Sequence, residues 1–150
     1  MILYGHDAEI AEWVGSELEC YFEPAAKAIG LVLKGRIIAG VVYHTYRPGY
    51  NIEMSIASIT PRWANENSLR AFFTYPFIQL NLPRVTAVTS NKATSVQKFL
   101  ERLGFIKEGM MREAHPDGDA LIYGLLRKDC KYIEELPDGQ KKLTITTAAA

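Results

Sequence analysis

The sequence is short of cysteine, and this shortage argues against two kinds of site. Cys20 and Cys130 are its two cysteines. They lie far apart and match neither the paired spacing of zinc ligands nor that of a redox motif, so we expect no metal site and no disulfide framework. The expected environment is a reducing compartment.

The sequence also lacks an excess of charge of one sign. Its 17 lysines and arginines balance 17 aspartates and glutamates. Sequence-independent binding of nucleic acid requires a basic excess that neutralises phosphates, so a nucleic-acid partner is not expected.

Long hydrophobic runs and a targeting segment are missing too. No apolar stretch approaches the roughly 18 residues that a bilayer-spanning helix needs. The first residues, MILYGHDAEIAEW, contain no basic segment and soon reach Asp7 and Glu9, unlike a secretory signal. We therefore expect a soluble, cytoplasmic protein with no membrane partner.

The composition that remains is typical of a globular protein. Apolar residues make up 48% of the 150 positions. A chain of this length buries about two thirds of its unfolded surface in one core. Because we find no internal repeat and no linker, residues 1–150 are expected to form a single domain. The threonine- and alanine-rich end, residues 136–150, is predicted to be a flexible tail or an edge strand.

Hydrophobic periodicity predicts a helix and a hairpin in the first third of the chain. Apolar residues recur at helical spacing over residues 7–20, with Asp7 as a candidate N-cap. Two apolar, β-branched runs, 28–33 and 36–46, flank the turn dipeptide Lys34-Gly35, which predicts a hairpin.

The central part of the chain reads as a β-α-β unit. Residues 51–59 alternate, which places Ile52 and Met54 on one face of a strand and Glu53 on the other. An aromatic-rich helical stripe follows over 69–81 and contains Pro76, which should kink the helix near Phe72. The next strand is 84–90, and the two strands are expected to be parallel.

The last elements are a helix and a second hairpin. Thr94 and Gln97 have the spacing of a capping box, and Gly104 stands where the helix should end. Strands are predicted over 105–114 and 120–126, around a Pro-Asp-Gly turn. The order of elements indicates a mixed α/β (α+β) protein whose sheet has helices on both faces.

The junction over residues 61–68 is polar and contains no glycine. Its simplest role is to cap the following helix, through Asn65, Glu66 or Ser68. The alternative is anion binding, because a helix amino terminus carries unpaired N–H groups and a partial positive charge. Arg62 would add a charge-assisted contact to such an anion.

Several strings resemble the GNAT superfamily of acyl-CoA-dependent N-acetyltransferases, over about residues 1–128. The most specific is Asn91 followed by FLERLGFIKEG at 99–109 and by Arg112, with DALIYG at 119–124 further on. The strings TYPFIQLNLPRVTAVTS and YGLLRKDCKYI also resemble a small subgroup often found in phage and prophage sequences.

The resemblance implies a fold and a reaction. It implies a mostly antiparallel sheet in which strands 51–59 and 84–90 form a parallel pair that splays apart at its end. It also implies transfer of an acetyl group from acetyl-CoA to a primary amine, on a small molecule or a protein, by direct attack in a ternary complex. Homodimers are common among such folds.

The resemblance also implies a cofactor site. Pyrophosphate would sit on residues 62–69, pantetheine would run between the parallel strands, and Asn91, Phe99 and Arg102 would lie on the opposite side. An N–H near a bulge at 57–59 would stabilise the oxyanion. The implied cofactor-binding residues are Ala57, Ser58, Ile59, Arg62, Trp63, Ala64, Asn65, Asn67, Ser68, Leu69, Asn91, Phe99 and Arg102.

Three residues are candidates for the chemistry. Attack requires a neutral amine, so a base must take its proton, and Glu53 resembles the glutamate of the family's fourth strand. The family's frequent tyrosine acid is replaced by Leu100, so the proton for the leaving thiolate would come from solvent, from Ser95 or from Tyr123. The missing glycines and Leu100 leave open an alternative, a catalytically degenerate binding or phage-associated module. His44, as a lone histidine on a strand, is expected to have only a structural role.

Overall fold

Alternating apolar residues and turn sequences organise residues 1–133, the part of the chain that the computed structural model describes, into one mixed sheet. Its seven strands are β1 Ile2–Leu3, β2 Lys27–Leu33, β3 Arg36–Arg47, β4 Asn51–Ser58, β5 Arg84–Ser90, β6 Ile106–His115 and β7 Gly118–Leu126. Their spatial order is β1-β2-β3-β4-β5-β7-β6. The pair β4–β5 is parallel and the others are antiparallel. The predicted fold class is confirmed, whereas the prediction for 136–150 falls outside the described residues.

Helices cover both faces of this sheet. They are α1 Asp7–Leu18, α2 Glu66–Thr74 and α3 Thr94–Leu103, with short 3₁₀ turns at Pro61–Trp63 and Arg127–Asp129. Helix α1 packs against one face of β2 to β4, around buried Ile10 and Val14. Helices α2 and α3 cover the opposite face, where the larger aromatic core lies. Within residues 1–133, no helix has the length and hydropathy needed to cross a membrane.

The first helix is anchored differently from the prediction. Asp7 does not cap it, since the N-cap is His6, whose side chain makes no capping hydrogen bond. The Asp7 carboxylate instead accepts from the Ala28 N–H at 2.8 Å, which ties the helix to β2. The helix ends at Leu18, two residues early, because Glu19 takes a left-handed conformation with φ of 56°.

The predicted hairpin turn is confirmed by its backbone. Lys34 and Gly35 have φ of 52° and 75°, which are the positive angles of a type I′ turn. This turn matches the right-handed twist of β2 and β3, and it fixes their register.

Helix α2 starts three residues before the predicted start at Leu69. Asn65 is its N-cap, and the Asn65 side chain accepts from the Ser68 N–H at 2.9 Å. Pro76 ends the α-helix at Thr74, after which Tyr75–Gln79 form a π-helix. The sequence predicted a kink near Phe72, whereas the helix is distorted after Thr74.

Proline leaves one carbonyl of α2 without its ordinary partner. In an α-helix the Phe72 carbonyl would accept from residue 76, and Pro76 has no N–H. The hydroxyl of buried Tyr43 on β3 donates to this carbonyl at 2.5 Å. The sheet therefore supplies a donor to a helix carbonyl that Pro76 cannot bond.

Helix α3 ends as predicted and starts differently. Gly104 has φ of 106° and closes the helix through bonds to Leu100 and Glu101. The expected capping box is absent, because the N-cap is Ala93 and it makes no side-chain bond. The Gln97 amide donates instead to the Ser90 and Asn91 carbonyls, both at 3.1 Å.

The parallel pair β4–β5 separates after a single point of register. Glu53 pairs with Thr86, and no later residue of β4 has a partner on β5 within the described sheet. The predicted splay is confirmed. It opens toward the carboxyl ends of both strands, where the amino termini of α2 and α3 follow.

Candidate functional site

The separated ends of β4 and β5 form the base of a cleft. Parallel strands have their carboxyl ends at the same edge of a sheet, so the segments after Ser58 and Ser90 lie on the two sides of this opening. The segment after β4 leads into α2 and the segment after β5 leads into α3. Predicted residues from distant parts of the chain thus come to one edge.

The first turn of α2 retains two unpaired N–H groups. The Asn65 N–H bonds the Trp63 carbonyl at 2.8 Å, and the Ser68 N–H bonds the Asn65 side chain. In the described part of the chain, no acceptor faces the N–H groups of Glu66 and Asn67. These two donors, at the positive end of the helix, are suited to an anion.

Side chains around this turn leave the two donors accessible. The Glu66 side chain is 77% exposed and pairs with Arg70 one turn later, at 3.7 Å. Arg62 and Asn67 are exposed as well. Because the Glu66 carboxylate turns toward Arg70, it repels a phosphate at this turn less strongly.

Trp63 is part of the core and not of the loop surface. It is 4% exposed, and its ring lies 5.4 Å from that of Phe72 and 5.6 Å from that of Phe99. It therefore links α2 to α3 and fills the space between them. Trp63 was implied as a cofactor-binding residue, but the packing of its ring shows that it fixes the loop against the core.

The other predicted residues on this side are dispersed. Arg102 lies in the last turn of α3, with its guanidinium carbon 5.9 Å from the Phe99 ring centre. Ala64 is partly buried, and Leu69 is buried under α2. Leu69 thus contributes to the core below the turn and offers no side-chain contact to a ligand.

The backbone of β4 provides different donors from those expected. The Ile59 N–H bonds the Ile38 carbonyl at 2.9 Å, so it is not free for an oxyanion. The β3–β4 register is unbroken from Ser58 to Glu53, so the expected bulge at 57–59 is absent. Backbone hydrogen bonds alternate in direction along a strand. The N–H of Ala57 therefore faces β3, whereas the N–H groups of Ser58 and Ile56 face the cleft. The sequence did not predict a role for Ile56.

Asn91 makes a structural connection at the end of β5. Its N–H donates to the Asp119 carbonyl at 2.9 Å, and its side-chain oxygen accepts from the Asp119 N–H at 3.1 Å. These bonds hold the β6–β7 turn against β5. Ser95 is exposed on the first turn of α3, on the same side of the cleft.

Glu53 lies on the α1 face of the sheet, beside His44, for which only a structural role was predicted. Glu53 pairs in register with His44 on β3. The Glu53 carboxylate is 3.8 Å from Nδ1 of His44, and the Glu53 and His44 side chains are 28% and 16% exposed. Nε2 of His44 lies 2.8 Å from the Ser55 hydroxyl. Strand 36–46 precedes strand 51–59 and can pair with it. Side-chain alternation along the two strands could have placed His44 beside Glu53 and so revealed this cluster.

Tyr123 lies on the other face of the sheet, in the aromatic core. It is 1% exposed, and burial, with a smaller effect of Glu101, raises the pKa of its hydroxyl. Leu100 is buried nearby in the same core. The side chains of Tyr123 and Glu53 therefore lie on opposite faces of the sheet.

A second polar network fixes the closed end of the parallel pair. Arg84 forms two bonds with the Glu108 carboxylate, at 2.8 and 3.3 Å. The Thr86 hydroxyl donates to Asn51 at 2.7 Å, and Arg84 bonds both Thr86 and Asn51. The two strands are thus held together below Glu53 and are free to diverge above it.

An open groove of about 690 Å³ runs along the carboxyl end of α1 and the segment that follows it. Among its lining residues are three carboxylates and no lysine or arginine: Glu12, Glu19 and Glu23. Phe22 forms part of the wall, and its ring lies 5.2 Å from that of His44. The groove therefore adjoins the Glu53–His44 cluster.

Solved structures that resemble this chain in fold include several acetyltransferases. A ribosomal-protein-S5-alanine acetyltransferase from Vibrio fischeri is 19% identical, with a TM-score of 0.61 over 83% of this chain and 70% of that one. An acetyltransferase structure from Acinetobacter baylyi is 14% identical, with a TM-score of 0.66 over 86% and 93% of the two chains. The chain has the GNAT acetyltransferase fold. RimJ from Mycobacterium smegmatis, solved with CoA-disulfide, shares this fold at 17% identity and a TM-score of 0.57, over 69% and 54% of the two chains.

The likeness to these proteins is one of fold. No protein-family model matches the chain, and no curated protein matches it in sequence. The chain spans about 60% of the length of two further acetyltransferase structures that it resembles, at 22% identity. At these identities the likeness shows the fold and not the reaction or its substrates.

Proposed function

We propose that this protein is an N-acetyltransferase that moves an acetyl group from acetyl-CoA to a primary amine by direct attack in a ternary complex. The observation that carries the proposal is the divergence of β4 from β5 beyond Glu53, beneath the two free N–H groups of α2. A slot between parallel strands, with an anion site at its mouth, is suited to an extended ligand that ends in a diphosphate.

The residues present fit the diphosphate of acetyl-CoA. The N–H groups of Glu66 and Asn67 would bond phosphate oxygens, and exposed Arg62 would add a charge-assisted bond. Asn65 and Ser68 hold the turn in place through their own bond. The glycines of the family pattern are absent, but these donors need no glycine because both lie in helical backbone.

Bound acetyl-CoA supplies an activated acetyl thioester, and the chain supplies proton removal and charge stabilisation. Glu53 is the candidate base for an amine that approaches from the α1 face. The N–H groups of Ser58 and Ile56 are aimed at the cleft and would stabilise an oxyanion between the strands. Ser95, exposed beside the opening, and Tyr123 remain the candidate proton donors.

The acceptor is an amine whose identity the fold does not fix. Two of the acetyltransferases with this fold act, by their names, on a ribosomal-protein alanine and on spermidine. In this chain the groove beside His44 carries three glutamates, which would attract an ammonium group on a small molecule or a protein. A cytoplasmic location, a homodimer and the relation to phage proteins remain predictions from the sequence.

One observation favours a second function, a non-catalytic module with this fold. Trp63, next to the turn proposed to bind the diphosphate, fills the space between α2 and α3 with its side chain. Such a module would keep the fold without binding acetyl-CoA. Titration of the protein with the cofactor separates the two functions directly.

Isothermal titration calorimetry with CoA and acetyl-CoA tests the proposal. We expect saturable binding of both compounds, with a dissociation constant that rises with salt because phosphate contacts are charge-assisted. Release of free thiol in the presence of an amine would then report turnover. Absence of binding at millimolar cofactor would contradict the enzyme and support the module.

A pair of variants at one position tests the anion site. Glu66→Pro deletes a free N–H, and proline fits the first position of a helix because Asn65 before it is extended, with ψ of 168°. Glu66→Ala is the matched control, since it removes the same carboxylate and keeps the N–H. A hydrogen bond to a charged group contributes roughly 1.5–3 kcal/mol, so we expect Glu66→Pro to bind CoA about 10- to 100-fold more weakly than Glu66→Ala. Equal affinities would show that this N–H does not contact the phosphates.

A further inference from the structure

Three polar side chains on neighbouring strands lie next to one another on the α1 face of the sheet. The Ser55 hydroxyl is 2.8 Å from Nε2 of His44, and Nδ1 of His44 is 3.8 Å from the Glu53 carboxylate. Ser55 and Glu53 are two residues apart on β4, so both point to this face. The three groups are thus aligned in the order hydroxyl, imidazole, carboxylate.

We propose that Ser55, His44 and Glu53 form a proton relay that deprotonates the acceptor amine, with His44 as the base and Glu53 as the residue that orients it. This inference rests on the proposed function and changes the role given to Glu53. The Ser55 hydroxyl contacts the amine, and His44 acts through that hydroxyl.

The neighbours of His44 are compatible with the tautomer that the relay needs. Nδ1 faces the Glu53 carboxylate and the Thr45 hydroxyl, the latter at 3.1 Å, and a carboxylate accepts but does not donate. The relay requires the proton on Nδ1, where the Thr45 hydroxyl and the Glu53 carboxylate are both able to accept it. The lone pair of Nε2 then points at Ser55, whose hydroxyl donates to it.

The surroundings of His44 keep the imidazole neutral and able to accept a proton. Burial lowers its pKa, while Glu53, from β4, and Glu23, from the segment before β2, act in the opposite direction. Glu23 accepts from the Thr45 N–H at 2.8 Å, and the Phe22 ring packs on the imidazole. Both carboxylates would stabilise the imidazolium once it forms.

The proton transfers balance as follows. As the amine nitrogen bonds the acetyl carbon, its proton moves to the Ser55 oxygen and the Ser55 proton moves to Nε2 of His44. Ser55 ends as a neutral hydroxyl and His44 as an imidazolium paired with Glu53. The carbon–sulfur bond then breaks, and the leaving thiolate of CoA takes a proton from the candidate donor Ser95 or Tyr123. His44 gives its proton to solvent and the donor regains one from solvent, so the enzyme returns to its starting state.

A titration of His44 that needs no substrate provides the first test. In proton NMR of the apoprotein, with the His44 resonance assigned through His44→Gln, we expect a midpoint below the ordinary histidine value of about 6.5. Glu53→Gln removes a carboxylate that favours the imidazolium, so the midpoint should move to lower pH. A midpoint that Glu53→Gln leaves unchanged would overturn the coupling of Glu53 to His44.

Kinetics provides the second test, with spermidine, an alanine-terminated peptide and a lysine peptide as acceptors. Turnover should rise with pH as His44 loses its proton, and His44→Gln should abolish this step and lower kcat about 100-fold or more. His6→Gln, which changes an exposed histidine, should behave as wild type. Circular dichroism of both variants checks that they fold.

The two remaining positions separate a relay from direct catalysis by Glu53. Ser55→Ala should lower kcat with little change in KM, and Ser55→Thr, which keeps the hydroxyl, should restore most of it. Glu53→Gln should keep measurable turnover, with the pH step moved to lower pH. If Glu53→Gln lost activity and His44→Gln kept the pH step, the base would be Glu53 and the relay would be overturned.

Wild-type protein that binds CoA yet acetylates none of the three acceptors would remove the proposed function and the relay together.

Discussion

Trp63→Ala is expected to lower the free energy of unfolding by about 3–5 kcal/mol, the usual cost of truncating a buried tryptophan. The substitution removes a ring that is 4% exposed and that contacts both Phe72 and Phe99. The loss includes the transfer free energy of the indole and the cavity left between α2 and α3. Urea denaturation followed by circular dichroism measures it.

Two further variants make the Trp63 result specific. Trp63→Phe keeps an aromatic ring between the two helices and should cost clearly less than alanine. Tyr21→Ala changes a fully exposed aromatic residue and should stay within about 0.5 kcal/mol of wild type. If Trp63→Ala were as stable as Tyr21→Ala and also bound CoA more tightly, Trp63 would be a removable cover on the ligand site.

Tyr43→Phe is expected to cost about 1–3 kcal/mol of stability, although it removes one oxygen atom. The Tyr43 hydroxyl is the donor to the Phe72 carbonyl, which Pro76 cannot bond. A buried carbonyl that loses its partner retains the full desolvation penalty, which sets the size of the effect. Thermal or urea unfolding of the variant gives the value.

A double-mutant cycle with Pro76→Ala tests the cause of that cost. Alanine at position 76 restores an N–H four residues after Phe72, so the helix can satisfy its own carbonyl. Tyr43→Phe should therefore cost less in the Pro76→Ala background than in wild type. Tyr46→Phe, on the exposed end of β3, is the control and should be nearly neutral. If the two changes had additive effects on the free energy of unfolding, the Tyr43 hydroxyl would not be compensating for the N–H that Pro76 lacks.

The sequence predicted elements wherever the determining interactions are local. Lys34-Gly35 fixes a hairpin turn because both residues take positive φ, and Gly104 ends α3 for the same reason. The alternation of 51–59 placed Glu53 opposite Ile52 and Met54, and the structure places them so. Backbone geometry and strand periodicity require only neighbouring residues, so one sequence suffices to read them.

The errors concern side chains whose partners are distant in sequence. Aspartate is a residue type suited to capping, but the Asp7 carboxylate accepts from the Ala28 N–H instead. Gln97 was assigned to a capping box, but it bonds the carbonyls at the end of β5. Polar side chains have several partners of comparable strength, and the tertiary fold selects among them.

The same division applies to the candidate site. The sequence alone determined the β-α-β order, the glycine-free turn before α2 and the presence of Glu53 on a polar face. Only the tertiary structure decided that Trp63 is buried, that Ile59 is bonded to β3, and that His44 stands between Ser55 and Glu53. Local patterns specify which face a residue points to, whereas the packing of strands and helices decides which residues share that face.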